Sequence, residues 1–79
     1  MKTYHDRIGI NPDVMLGKPV IKGTRITVDL IVRKLGEGAT AEDLLDAYPN
    51  LKKEDIQAAL LFVAEYMRNE TLIYLKTGS

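Results

Sequence analysis

From Thr27 onward the chain repeats one pattern three times: a polar start, apolar residues spaced by three and four, and a glycine or proline that ends the first two runs. That spacing lines one face of a helix, so the body of the chain is committed to helices. In the first run the Thr27 hydroxyl can accept from free first-turn amides, and Asp29 suits the positive helix end. Val28, Ile31, Val32 and Leu35 follow at helical spacing, Lys34 falls in the last turn, and Gly36 and Gly38 end it. The second start pairs Thr40 with Asp43 three residues on, an approximate capping box. Ala41, Leu44, Leu45 and Tyr48 then share a face, and Pro49 stops the helix early. The third run is the longest, residues 53–68, with Ile56, Ala59, Leu60, Val63, Ala64 and Met67 as its expected core stripe.

Residues 1–26 are different. Asn11-Pro12-Asp13, Gly17-Lys18-Pro19 and Gly23-Thr24 are turn formers separated by short apolar stretches, residues 8–10 and Val20-Ile21. This irregular head is expected to hold at most very short strands. The expected fold is therefore all-α: a three-helix, helix-turn-helix domain behind an irregular N-terminal head. One domain spans residues 1–79, divided into a head (1–26), a trihelical core (27–68) and an apolar tail (69–79).

A chain of 79 residues buries only roughly 60% of the surface its unfolded form exposes. Small folds often lean on disulfides, metals or partners. This one has no cysteine and a single histidine, His5, which leaves partners, and a homodimer or higher homo-oligomer is expected. The lack of cysteine, of a long apolar span and of a hydrophobic leader core suggests a cytoplasmic protein with no membrane association.

Charge is balanced in total, eleven basic against eleven acidic residues, but not along the chain. Before Gly36 there are seven basic residues to three acidic, and from Gly36 through Glu70 three to eight. A basic head on an acidic body suits a phosphate backbone, or head-to-body pairing with another copy. The neutral total counts against strong non-specific nucleic-acid binding.

The second and third helices have the order of a helix-turn-helix, in which a short helix braces a longer one whose N-terminal residues reach base edges. Leu51 would be the buried residue of the turn, and Lys52, Lys53, Glu54 and Gln57 the exposed opening of the reading helix. Lysine meets phosphate or guanine, and glutamine pairs with adenine. Glu54 and Asp55 repel phosphate, although Asp55 can instead serve the positive helix end. Lys18, Lys22, Thr24 and Arg25 cluster around glycines in the head, the composition of a basic arm beside a helical reader. The same features also describe an ordinary trihelical core with a solvated face and a plain turn.

Catalysis is not expected. His5 has no nucleophile or ligand at motif spacing, Glu42, Asp43 and Asp46 are an acidic run on a short helix, and the glycines form no phosphate loop. No cofactor or metal is implied. Two apolar features exceed the needs of one small core. Leu61, Phe62 and Tyr66 lie off the expected stripe of the third helix, and Leu72, Ile73, Tyr74 and Leu75 follow it. Either the head folds over this surface or another chain does. Thr71, Ile73, Tyr74 and Gly78 favour an extended tail over a helix, suited to adding to a partner's sheet edge.

The run Gly17-Lys18-Pro19-Val20-Ile21-Lys22-Gly23-Thr24-Arg25, within residues 10–28, resembles the hallmark of the prokaryotic domain of unknown function 433 family. Tyr48-Pro49-Asn50-Leu51, Glu54-Asp55-Ile56 and Ala58-Ala59-Leu60 resemble its second block, so that residues 8–66 are covered. The resemblance implies a homeodomain-like fold, DNA binding, and a VapB-type antitoxin role against a PIN-like ribonuclease toxin. One departure stands out: Lys52 occupies a position where the family often has a capping Thr or Ser. The expected function is a DNA-binding antitoxin-type regulator acting on its own promoter and on a PIN-like toxin. The alternative is a protein-interaction module of the same fold that does not bind DNA.

Overall fold

The computed structural model describes residues 6–78, with side chains described through residue 68. Strand β1 (Ile8–Gly9) and strand β2 (Val20–Ile21) precede helices α1 (Val28–Gly36), α2 (Ala41–Ala47) and α3 (Lys53–Gly78). The strands pair antiparallel, Ile8 opposite Ile21 and Gly9 opposite Val20. The chain is thus mostly helical, a small helix-turn-helix-like fold carrying a two-stranded sheet at its N-terminal end.

Local chemistry sets the helix starts. The Thr27 hydroxyl accepts from the Leu30 amide at 3.0 Å. At α2 the Thr40 hydroxyl accepts from the Asp43 amide at 3.0 Å while Asp43 accepts from the Thr40 amide at 2.9 Å, a complete capping box. Such a cap satisfies amides that have no partner within the helix. Helix α2 ends at Ala47, ahead of Pro49.

One core joins all the elements: Ile8 and Ile21 from the sheet, Val28 and Ile31 from α1, Leu44 from α2, Ile56, Ala58 and Ala59 from α3. Leu51 lies with them, 5% exposed, so the turn between α2 and α3 is pinned by a buried side chain as expected. No helix among the described residues is long and apolar enough to cross a membrane.

Two expectations about α3 need correction. Its buried face is rotated from the expected stripe. Leu60 and Met67 are exposed, at 45% and 53%, and Ala64 is exposed as well. Asp55 and Ala58 are buried instead, and Phe62 is partly buried against the core. The shift is about one residue step, roughly 100° around the axis. The cause is the head: Ile8 of β1 joins the core beside α3, and Arg7 reaches Asp55, which draws that side of the helix inward. A periodicity argument that considers only the three helices cannot anticipate this.

The second correction concerns the tail. The backbone from residue 69 to Gly78 continues α3 and is not an extended segment. Propagating an established helix costs little per residue, and Thr, Ile and Tyr fall only a few tenths of a kcal/mol behind good helix formers. The side chains of Leu72, Ile73, Tyr74 and Leu75 lie outside the described residues, as does His5.

Candidate nucleic-acid interface

The loop from Ile21 to Ile26 is a closed ring of hydrogen bonds. The Ile21 amide donates to the Ile26 carbonyl (2.9 Å), and the Thr24 amide to the Ile21 carbonyl (3.0 Å). The Thr24 hydroxyl donates to the Ile21 carbonyl at 2.8 Å and accepts from the Ile26 amide at 3.0 Å. Thr24 therefore spends its hydroxyl on the loop's shape. Gly23 sits at φ +80°, where a side chain would strain the backbone. The loop is further tied to the sheet by the Lys22 amide, which donates to the Arg7 carbonyl at 2.8 Å. It also runs back to α1 through the Val28 amide, which donates to the Pro19 carbonyl at 3.0 Å. On this rigid frame Lys22 and Arg25 project into solvent. The Lys22 stem lies across Gly9, where a Cβ would come within 3.3 Å of it.

Arg25 stands between two grooves. One is bordered by Gly9, Ile10, Asn11 and Val14 of the head. The other is bordered by Leu30 and by Tyr48, Pro49 and Asn50 of the turn before α3. The head loop and the helix-turn-helix turn thus meet at Arg25, and Lys52 follows Asn50 by two residues. Lys18, Lys22, Arg25, Lys52 and Lys53 are all exposed, and among the described residues none has a carboxylate partner.

Asp55 lies at the opening of α3 but does not face solvent. It is 5% exposed, and its Oδ1 accepts from the Arg7 guanidinium at 2.9 Å. Its Oδ2 accepts from the Lys52 amide at 2.9 Å. This is the carboxylate half of a capping box whose hydroxyl half is missing because position 52 is lysine. The negative charge expected to oppose phosphate here is turned inward and neutralised. Arg7 and Asn50 belong to this region without any motif in the sequence that marks them as part of it. For Arg7 no local signal exists, since its partner is 48 positions away.

Gln57 does not join the Arg25 surface. It is exposed in a third groove, with Asp6, Arg7, Glu54, Ala58, Leu60 and Leu61. Because Arg7 is engaged by Asp55, the charges of that groove without an ion-pair partner among the described residues are the carboxylates of Asp6 and Glu54. The groove that holds Gln57 is thus acidic and apolar, and distinct from the two grooves that Arg25 borders. Of the candidate partner residues, Leu61 and Tyr66 are 48% and 59% exposed, while Phe62 packs partly against the core.

A short helix, a turn pinned by a buried leucine and a longer helix define a small helix-turn-helix-like domain. Residues 8–63 match the family described as "Protein of unknown function (DUF433)", and the chain belongs to that family. It is similar to the crystal structure of a DUF433 member protein from Anabaena variabilis ATCC 29413, with a TM-score of 0.71 and 34% identity. That likeness covers 92% of this chain and 69% of the other. The chain is also 35% identical over 52 residues to "Uncharacterized protein y4eO" of Sinorhizobium fredii (strain NBRC 101917 / NGR234). The match takes in 66% of this chain but only 24% of that much longer relative.

Proposed function

We propose that this chain is a DNA-binding antitoxin-type regulator that acts by binding. It contacts the phosphate backbone of its own promoter region through Lys22, Arg25, Lys52 and Lys53, with Lys18 at the margin. It neutralises a PIN-like ribonuclease through the apolar surface of α3 that its own core leaves uncovered. One observation carries the DNA half: five exposed cations without carboxylate partners among the described residues lie on the head and at the opening of α3, while Asp55 is turned into the core. Cations not already paired are what phosphate contact requires, and each neutralised phosphate releases counterions. The toxin half is supported by the family resemblance and by the exposure of Leu61 and Tyr66 on a helix that runs on to Gly78. Leu72, Ile73, Tyr74 and Leu75, whose side chains lie outside the described residues, are assigned to the same partner in the proposal.

The groove of Asp6, Glu54, Leu60 and Leu61 favours a second reading, a protein-interaction module that does not bind DNA. A gel-shift assay at low salt on the DNA upstream of the chain's own reading frame separates the two. Wild type shifts the fragment, and the Lys22→Ala/Arg25→Ala/Lys53→Ala variant, still folded, does not. A shift retained by the triple variant refutes the residue assignment, and no shift by wild type selects the interaction module.

A further inference from the structure

Two adjacent leucines of α3 stay half in water at one groove. Leu60 and Leu61, 45% and 48% exposed, line it with the buried Ala58. Asp6, Arg7, Glu54 and Gln57 complete the lining. The groove has a volume of about 860 Å³, the size of sites that enclose a drug-sized ligand. Its α3 residues run from Glu54 to Leu61, so it follows the helix for roughly 10 Å, about two turns.

The charges left over there have one sign. Arg7 is held by Asp55 at 2.9 Å, which leaves Asp6 and Glu54 without an ion-pair partner among the described residues. Both are exposed. These carboxylates repel phosphate and attract lysine or arginine. An apolar surface with an acidic rim is complementary to an apolar side chain flanked by cations. Gln57, exposed in the same groove, offers an amide that can pair with a partner's backbone.

We propose that this groove takes a short segment of another protein, in which one or two large apolar side chains are flanked by lysine or arginine. The apolar side chains cover Leu60 and Leu61, and the cations meet Asp6 and Glu54. The exposed cations of this chain's own head and α3 opening are committed to phosphate in the proposed function, so the complementary charge comes from a different protein. The inference rests on the reading of α3 as a partner surface and names the chemistry of the segment that surface binds. It does not depend on DNA.

Panning a displayed random-peptide library on the full chain, without DNA, is the experiment, followed by anisotropy titrations of the enriched peptides. Wild type enriches peptides with an aliphatic or aromatic anchor close to lysine or arginine. Leu61→Asp and Glu54→Lys change side chains outside the buried core, so both variants fold, as circular dichroism checks. Leu61→Asp weakens the enriched peptides roughly tenfold, as expected for losing one buried leucine. Glu54→Lys weakens them about threefold or more, and from the same library it selects anchors flanked by acids. No enrichment, enrichment without a basic preference, or affinities unchanged in both variants overturns the proposal. Enrichment that appears only after residues 1–5 are removed also overturns it, by assigning the groove to the chain's own N-terminal segment. So does self-association that Leu61→Asp abolishes, which assigns the groove to a second copy. Basic peptides bound by a chain that suppresses no nuclease support the proposal and refute only the toxin reading.

Discussion

Arg7 and Asp55 are 48 residues apart in sequence, and their side chains meet at 2.9 Å where the head crosses the start of α3. The aspartate is nearly buried while the arginine is 37% exposed on its outer side. The same carboxylate caps the helix through the Lys52 amide. One residue therefore fixes the head to the body, begins α3, and withdraws a negative charge from the cationic surface. Arg7→Ala leaves a buried carboxylate with only the Lys52 amide to stabilise it. We expect a loss of about 1–3 kcal/mol, below the full value for a buried pair because Arg7 is partly hydrated. A double-mutant cycle with Asp55→Ala should give clear coupling, and additive losses would contradict the pairing.

Lys52→Ser should stabilise the domain while weakening DNA binding. Asp55 already supplies the carboxylate half of the box, and a serine hydroxyl would complete it, a gain of about 0.5–1 kcal/mol. The substitution also removes one cation of the proposed surface. Denaturant melts and anisotropy titrations on the same variant read both effects. Decreased stability would show that the α3 start has no room for the hydroxyl half.

Thr24→Val is expected to cost about 1–2 kcal/mol, since the Ile21 carbonyl and the Ile26 amide each lose a partner in a partly buried loop. Thr24→Ser keeps the oxygen and should cost well under half as much. Equal losses in the two variants would mean that the methyl group, and not the hydroxyl, holds the loop.

Much of the fold is legible in the sequence because its causes are local. Thr27, and Thr40 with Asp43, act within one helical turn of their partners, and Pro49 and the glycines act on their own backbone. Leu51 is legible because a helix-turn-helix needs a buried residue in its turn. What escapes is what depends on distant segments meeting. The phase of α3's buried face follows from Ile8 and Arg7 of the head, so Leu60 and Phe62 exchange their expected environments. Gln57 is exposed as anticipated, but the same rotation sets it beside Asp6 and Glu54 and away from Arg25. Thr71, Ile73 and Tyr74 taken alone favour an extended tail, but the helix already formed ahead of them carries the backbone on to Gly78.

Removing residues 72–79 should leave the melting temperature close to that of the full chain. Among the described residues the buried core is made by residues 8–59, and α3 enters it through its first three turns or so. If the proposed antitoxin reading holds, the truncated chain should nevertheless fail to suppress the toxicity of a co-expressed, adjacent PIN-like nuclease that the full chain suppresses. Early melting would place the tail in the chain's own core, and full suppression would remove it from the partner surface.

The central claim is that exposed cations on the head loop and at the opening of α3 contact phosphate, and the salt dependence of DNA binding tests it most directly. Fluorescence anisotropy on a promoter duplex across a range of salt concentrations gives the slope of log affinity against log salt. Wild type should weaken steeply as salt rises, and Arg25→Ala and Lys53→Ala should each reduce the steepness by roughly one. Affinity that does not depend on salt, or slopes unchanged in both variants, would contradict the account.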